Sequence, residues 1–202
     1  MTTRPDSLPE GCNCIQEVAM PEWLYRGVLA ILLPFGAIAI VAPDVIANIF
    51  SGQIGILEII RSPSGIRHTM IAAVAFLPLT QLHEETHRLA ATMLQLKPTR
   101  RLRYVLIQET WVSQRKRVLM SAAPVITIQP AALLVAIFGS GLFEQIAVVV
   151  FVSNASLIAK DVYDILFGLV LPEDAYFWSS DLGEQPIEFF AIPCAQIDSS
   201  EA

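Results

Sequence analysis

The sequence predicts an all-α polytopic membrane protein with about four transmembrane helices, and three observations carry that prediction. Apolar residues make up 54% of the 202-residue chain against 16% charged, and the mean hydropathy is +0.56, well outside the range of a soluble domain. Four stretches approach the roughly 20 apolar residues that a bilayer-spanning helix needs. Seven of the thirteen basic residues crowd into one segment between two of those stretches. The length suits one domain, expected over residues 24–171, with a polar N-terminal tail over 1–23 and an acidic C-terminal tail over 172–202.

The first span is expected from about Leu24 to Phe50, with no charge between Gly27 and Pro43. The second runs from about His68 to Leu96, and its first half, Thr69 to Leu82, is uncharged. The third, Val118 to about Ile137, is uncharged throughout, and Gly139-Ser140-Gly141 offers a turn after it. The fourth runs from about Leu142 to Ala159, and Val162 to Leu171 continues it or lies at the interface.

Orientation follows from the basic segment Lys97, Arg100, Arg101, Arg103, Arg115, Lys116 and Arg117. Loops rich in lysine and arginine stay in the cytoplasm, so both termini are expected there. Arg61 and Arg67 then fall on the outer side. Within the basic segment, Tyr104 to Val112 is rich in β-branched and aromatic residues and reads either as a short strand or as an interfacial linker with Tyr104 and Trp111 at the headgroups.

Composition excludes some classes. The net charge of -6 and the lack of a basic groove argue against nucleic acid as a partner. Cys12, Cys14 and Cys194 are too few for a disulfide framework, and Cys12-x-Cys14 reads as incidental. The first twenty residues show no pattern of a removable signal peptide.

The chemistry concentrates in His83-Glu84-Glu85-Thr86-His87. Residues four apart stand on one helix face, so both imidazoles can reach one metal ion. The glutamate after the first histidine is placed to take a proton from water at that metal. His83 to Arg88 also follows fourteen uncharged residues, and a charge at the bilayer centre costs at least ~2.5 to 3.5 kcal/mol for Asp, Lys or Arg. A polar helix-packing cluster is the bland alternative. Glu85 is expected to pair with Arg88, its i,i+3 neighbour, and His68 to be interfacial.

A catalytic zinc site needs a third protein ligand. Asn154, Asp161 and Asp164 in the fourth span are the candidates. His87 lies twenty residues beyond Arg67 and Asp161 seventeen beyond Glu144, so their depths differ by ~4.5 Å at about 1.5 Å per residue. Asp161 is thus in reach as a ligand, or else a helix-end carboxylate. Asn154, two turns earlier, is placed to orient a ligand or substrate, and Asp164 reads as a solvated helix-end residue. Pro124 and Pro130 interrupt the third span with Gln129 between them; such prolines free backbone carbonyls that neighbours or water must satisfy.

His83-Glu84-Glu85-Thr86-His87, Ala123-Pro124, and Asn154 with Asp161 resemble the pattern of the site-2 protease family of intramembrane zinc metalloproteases. Asn154 through Asp161, Leu171-Pro172-Glu173-Asp174 and Ser180-Asp181 resemble more closely a branch of zincin peptidases of unknown function. The resemblance spans about Thr69 to Asp181. It departs from the family pattern at Val162, where glycine is usual, and in having no proline between Asn154 and Asp161. It implies zinc on His83, His87 and Asp161, with Glu84 as base, on the cytoplasmic side of a membrane.

The expected function is therefore a membrane-embedded zinc metalloprotease cutting a membrane protein or peptide in or beside the lipid bilayer, in a prokaryotic cell membrane. The alternative is a non-proteolytic zinc-binding scaffold that grips a membrane partner. A metal transporter would need more polar residues in the other spans, and the first span has none between Gly27 and Pro43.

Overall fold

The computed structural model describes Pro9, Cys12 and residues 14–17, 22–52, 61–100, 105–107, 110–182 and 185–192. In chain order these form β1 (Cys14–Glu17), α1 (Glu22–Val41), α2 (Pro43–Phe50), α3 (Pro63–Met93), β2 (Pro98–Arg100), β3 (Val105–Ile107), β4 (Val112–Ser113), α4 (Gln114–Phe138), α5 (Leu142–Leu157), α6 (Ala159–Val170), β5 (Tyr176–Leu182) and β6 (Gln185–Ile192). Arg101, Arg103, Tyr104, Glu184, Cys194, Asp198 and Glu201 lie outside the described residues.

Each apolar stretch becomes helix, but two of them break. Leu24 to Phe50 was expected as one span; α1 and α2 instead turn by 116° across Ala42. Proline disfavours helical geometry in the residue before it, and Ala42 sits at φ -147, ψ 62 before Pro43 opens α2. The fourth stretch bends by 49° at Ile158, between α5 and α6. Pro124 and Pro130 lie within a continuous α4. α3 starts at a defined cap: Ser62 Oγ accepts from the Gly65 N–H at 3.0 Å, and Pro63 at the first helical position needs no partner for the N–H it lacks.

Among the described residues, α4 is the one helix long and apolar enough to cross a membrane, or up to three spans are if each bent pair counts as one. That is one to three against the four expected. α3 drops out because its last third carries the ionisable cluster. The expectation of an all-α fold is met in part: the described residues are mostly helical, with strands beside the helices. A four-stranded antiparallel sheet of order β1-β6-β5-β4 and the β2-β3 hairpin accompany the helices. Part of Tyr104 to Val112 is thus extended, as β3 and the start of β4. The stretches expected as tails supply β1, β5 and β6, in register Cys14↔Ile192 and Tyr176↔Ala191.

The sheet is tied to the end of the bundle where α4 begins. The Gln114 N–H donates to Ala175 O at 2.8 Å, and Gln114 Nε2 donates to Gly168 O at 2.7 Å. Trp111 and Trp178 meet at 5.3 Å, and Phe167 meets Phe177 edge-on at 6.3 Å. Deeper in the bundle, small residues let helices approach closely: Ala37, Ala132 and Ala155 pack around Phe151. A second buried group, Ala91, Val112 and Met120, lies beside the histidines. Large apolar side chains cover much of the outer surface, among them Val74, Leu77, Phe138 and Val170.

Candidate metal centre

α3 stays helical through the histidine motif, with no glycine or proline between Leu79 and Met93. His83 and His87 therefore stack one turn apart, their Nε2 atoms 3.3 Å from each other. Asp161, in the first turn of α6, completes the group. Its Oδ2 is 3.1 Å from His83 Nε2 and its Oδ1 is 3.2 Å from His87 Nε2. His83 and Asp161 are buried and His87 is half-buried.

The far side of each ring faces an acceptor. His83 Nδ1 lies 3.3 Å from Asn154 Oδ1, and the Asn154 amide is itself oriented by Nδ2 donating to Gln129 Oε1 at 3.3 Å. His87 Nδ1 lies 2.9 Å from Met120 O. An amide oxygen and a carbonyl can only accept, so these contacts fit a proton on Nδ1 of each histidine. A neutral ring in that tautomer turns a bare Nε2 lone pair toward the carboxylate.

The Met120 carbonyl has a specific reason to be available. It would ordinarily accept from the backbone of residue 124, four positions on, and Pro124 has no N–H to give. Pro124 is fully buried at this point.

With both rings neutral, three acceptors face one another, and a cation between them relieves the repulsion; with a ring doubly protonated, the same contacts are His–Asp ion pairs. Asp161 Oδ2 is buried and has no hydrogen-bond partner; its 3.1 Å neighbour His83 Nε2 is, in this tautomer, another acceptor. A tetrahedral ion with ligands at about 2.0–2.2 Å has ligand–ligand edges of about 3.3–3.6 Å, close to the separations here. These residues fit a metal ion: the ligand atoms of His83, His87 and Asp161 lie within 4.8 Å of one another. Outer hydrogen bonds that fix the tautomer of a ligating histidine are usual in such sites.

Glu84 is half-buried beside this group, adjacent to His83 in sequence and an i,i+3 neighbour of His87 on the helix. Glu85 turns away and accepts from Arg88 Nε at 2.6 Å, as expected. His68 is remote, its Nδ1 2.8 Å from Ser64 O.

Asp164 overturns its expectation. It is buried, not solvated, and its Oδ2 accepts from Lys160 Nζ at 2.6 Å and from Arg117 Nη2 at 3.0 Å. The start of α4 and the sheet cover that end of α6, and the two cations engage the carboxylate that a ligand role would need. Asn154, Asp161 and Asp164 therefore separate by role: outer partner, inner carboxylate and ion-pair residue.

No family model, curated protein or solved structure matches the chain.

Proposed function

We propose that the chain is a membrane-embedded zinc metallopeptidase, in line with its resemblance to the site-2 protease pattern. One observation carries the reading: ligand-capable atoms of His83, His87 and Asp161 converge within 4.8 Å, each Nδ1 faces an acceptor, and a glutamate follows His83 in sequence. Two imidazoles and one carboxylate are the donor set of several hydrolytic zinc sites.

In this reading His83, His87 and Asp161 hold the zinc, which when bound polarises the scissile carbonyl and makes water more acidic. Glu84 takes a proton from the attacking water and returns it to the leaving amine. Asn154 and Met120 hold the imidazoles in the tautomer that ligates. The exposed apolar side chains are proposed to face lipid, with about four spans in all, α3 among them, and both termini cytoplasmic. An apolar groove of about 600 Å³ lies between α3 and α5, lined by Met70, Val74, Leu79, Leu82, Leu142 and Ile146, with Leu79 one helical turn before His83 on α3. It supports access for an apolar substrate segment from the bilayer. The strand-forming segment around β3 is proposed to pair with that substrate where it unwinds.

The test compares cells producing wild type and Glu84→Gln by sequencing new protein N-termini. Wild type should generate new N-termini that the variant does not, while both purified proteins carry zinc. Identical N-termini with zinc retained in both would replace the peptidase reading with a zinc-binding scaffold.

A further inference from the structure

A buried ion-pair layer lies one helical turn from the ligand layer. Asp164 follows Asp161 by three residues on α6, and Arg117 precedes Met120 by three on α4, so the members of each pair share a helix face. Met120 O meets His87 Nδ1 at 2.9 Å. Arg117 Nη2 donates to Asp164 Oδ2 at 3.0 Å, and the Arg117 guanidinium lies 6.0 Å from the centre of the Phe177 ring. α4 thus supplies no ligand, yet it grips both ligand-bearing helices on successive turns.

Stability alone is a weak account of this pair. The side chains of Arg117 and Asp164 are 11% and 7% exposed, and a buried ion pair can often be replaced by apolar residues at no loss of stability. Geometry gives a stronger account. α6 has only 12 residues and joins α5 through the 49° break, so a straight helix does not transmit its rotation from α5. On a helix of about 5–6 Å radius including side chains, a rotation of about 10° moves a carboxylate by about 1 Å. Metal sites hold their ligand distances within about 0.2 Å. Something must set that rotation, and the Arg117–Asp164 anchor of α6 on α4, one turn beyond Asp161, is placed to do so.

We infer that the Arg117–Asp164 pair is a positioning device that aims the Asp161 carboxylate at His83 and His87 and so sets the metal affinity of the centre. Arg117 and Asp164 are positioning residues: they act through Asp161 and Met120. The inference rests on the metal-centre reading.

The test uses the full-length protein in detergent micelles, with zinc affinity from competition against a chromophoric chelator and with the visible absorption of the cobalt(II) form. Asp164→Asn and Arg117→Met should bind zinc about 10–100-fold more weakly, the range for outer partners of metal ligands, and should alter the cobalt spectrum. Arg117→Lys, which keeps a donor cation, should recover part of the affinity. The double variant Arg117→Met/Asp164→Leu removes both buried charges of the pair and leaves Lys160, whose side chain is 41% exposed, to water, so it should keep the melting temperature of the metal-free protein and still bind weakly. A double variant with wild-type affinity and an unchanged cobalt spectrum would overturn the positioning role. Wild type that binds neither metal would instead overturn the metal centre, and the positioning role with it.

Discussion

Pro124 and His87 share one carbonyl: the Met120 oxygen that Pro124 leaves without its intrahelical donor lies 2.9 Å from His87 Nδ1. A helix defect on α4 thereby becomes a hydrogen bond to a ring on α3. Replacing Pro124 with alanine restores the donor, which then competes for Met120 O. Pro124→Ala should weaken zinc binding several-fold, measured by chelator competition, while the metal-free protein melts no lower than wild type. Unchanged affinity would show that His87 needs no help from this carbonyl.

Asn154 plays the matching part for His83. Asn154→Ala removes the acceptor at Nδ1 and should reduce zinc affinity by about 10–100-fold. Asn154→Asp, which still offers an acceptor oxygen, should lose much less. Equal losses in the two variants would mean that buried volume, not the hydrogen bond, matters at this position.

The inner residues separate by metal content. Purified His83→Ala, His87→Ala and Asp161→Ala should each lack stoichiometric zinc by elemental analysis, and Glu84→Gln should retain it. Full zinc in Asp161→Ala would return the search for a third ligand to other carboxylates near α3.

A packing prediction is independent of any metal. A Cβ on Gly168 would stand 2.5 Å from Val118 Cγ2, and valine is stiff about χ1. Gly168→Ala should cost about 1–3 kcal/mol, the range for overpacking, read as a lower melting temperature. Val118→Ala in the same chain should restore most of it.

Cys12 offers a pH-dependent readout at the sheet. Burial, and then the negative charge of Asp174, push its thiol above the ordinary cysteine value. The reactive form is the thiolate, so raising the pKa keeps the group protonated to higher pH. In a Cys14→Ser/Cys194→Ser background, Cys12 should react with a maleimide more slowly at pH 8 than the unfolded chain does, and the gap should narrow as pH rises. Equal rates at pH 8 would contradict the burial.

Much of the centre is legible in the sequence because its inner residues are costly where they stand. His83, His87 and Asp161 are ionisable residues in or beside long apolar runs, and helical spacing alone brings the two histidines together. Asp161 is recoverable by counting residues in from the opposite charged boundary. The Met120 carbonyl is half legible: Pro124 announces a freed acceptor, but nothing in the sequence says which side chain collects it. The burial of Asp164 is not legible, since it depends on Arg117, 47 residues earlier, and on a sheet that closes over α6. That sheet was missed because β5 and β6 lie in an acidic stretch whose strands pair with each other and with residues near the N-terminus. The bend at Ala42 was signalled by Pro43, but its size depends on packing.

The centre is also late to complete. His83 and its outer partner Asn154 are 71 residues apart, and Asp161 comes later still. At synthesis rates of about 5–20 residues per second, the two histidines emerge roughly 4 to 14 seconds before the chain can supply that partner. Throughout that interval the nascent protein has half a site, so a ribosome-arrested chain ending before Asp161 should not retain metal, and loading belongs to the end of biogenesis.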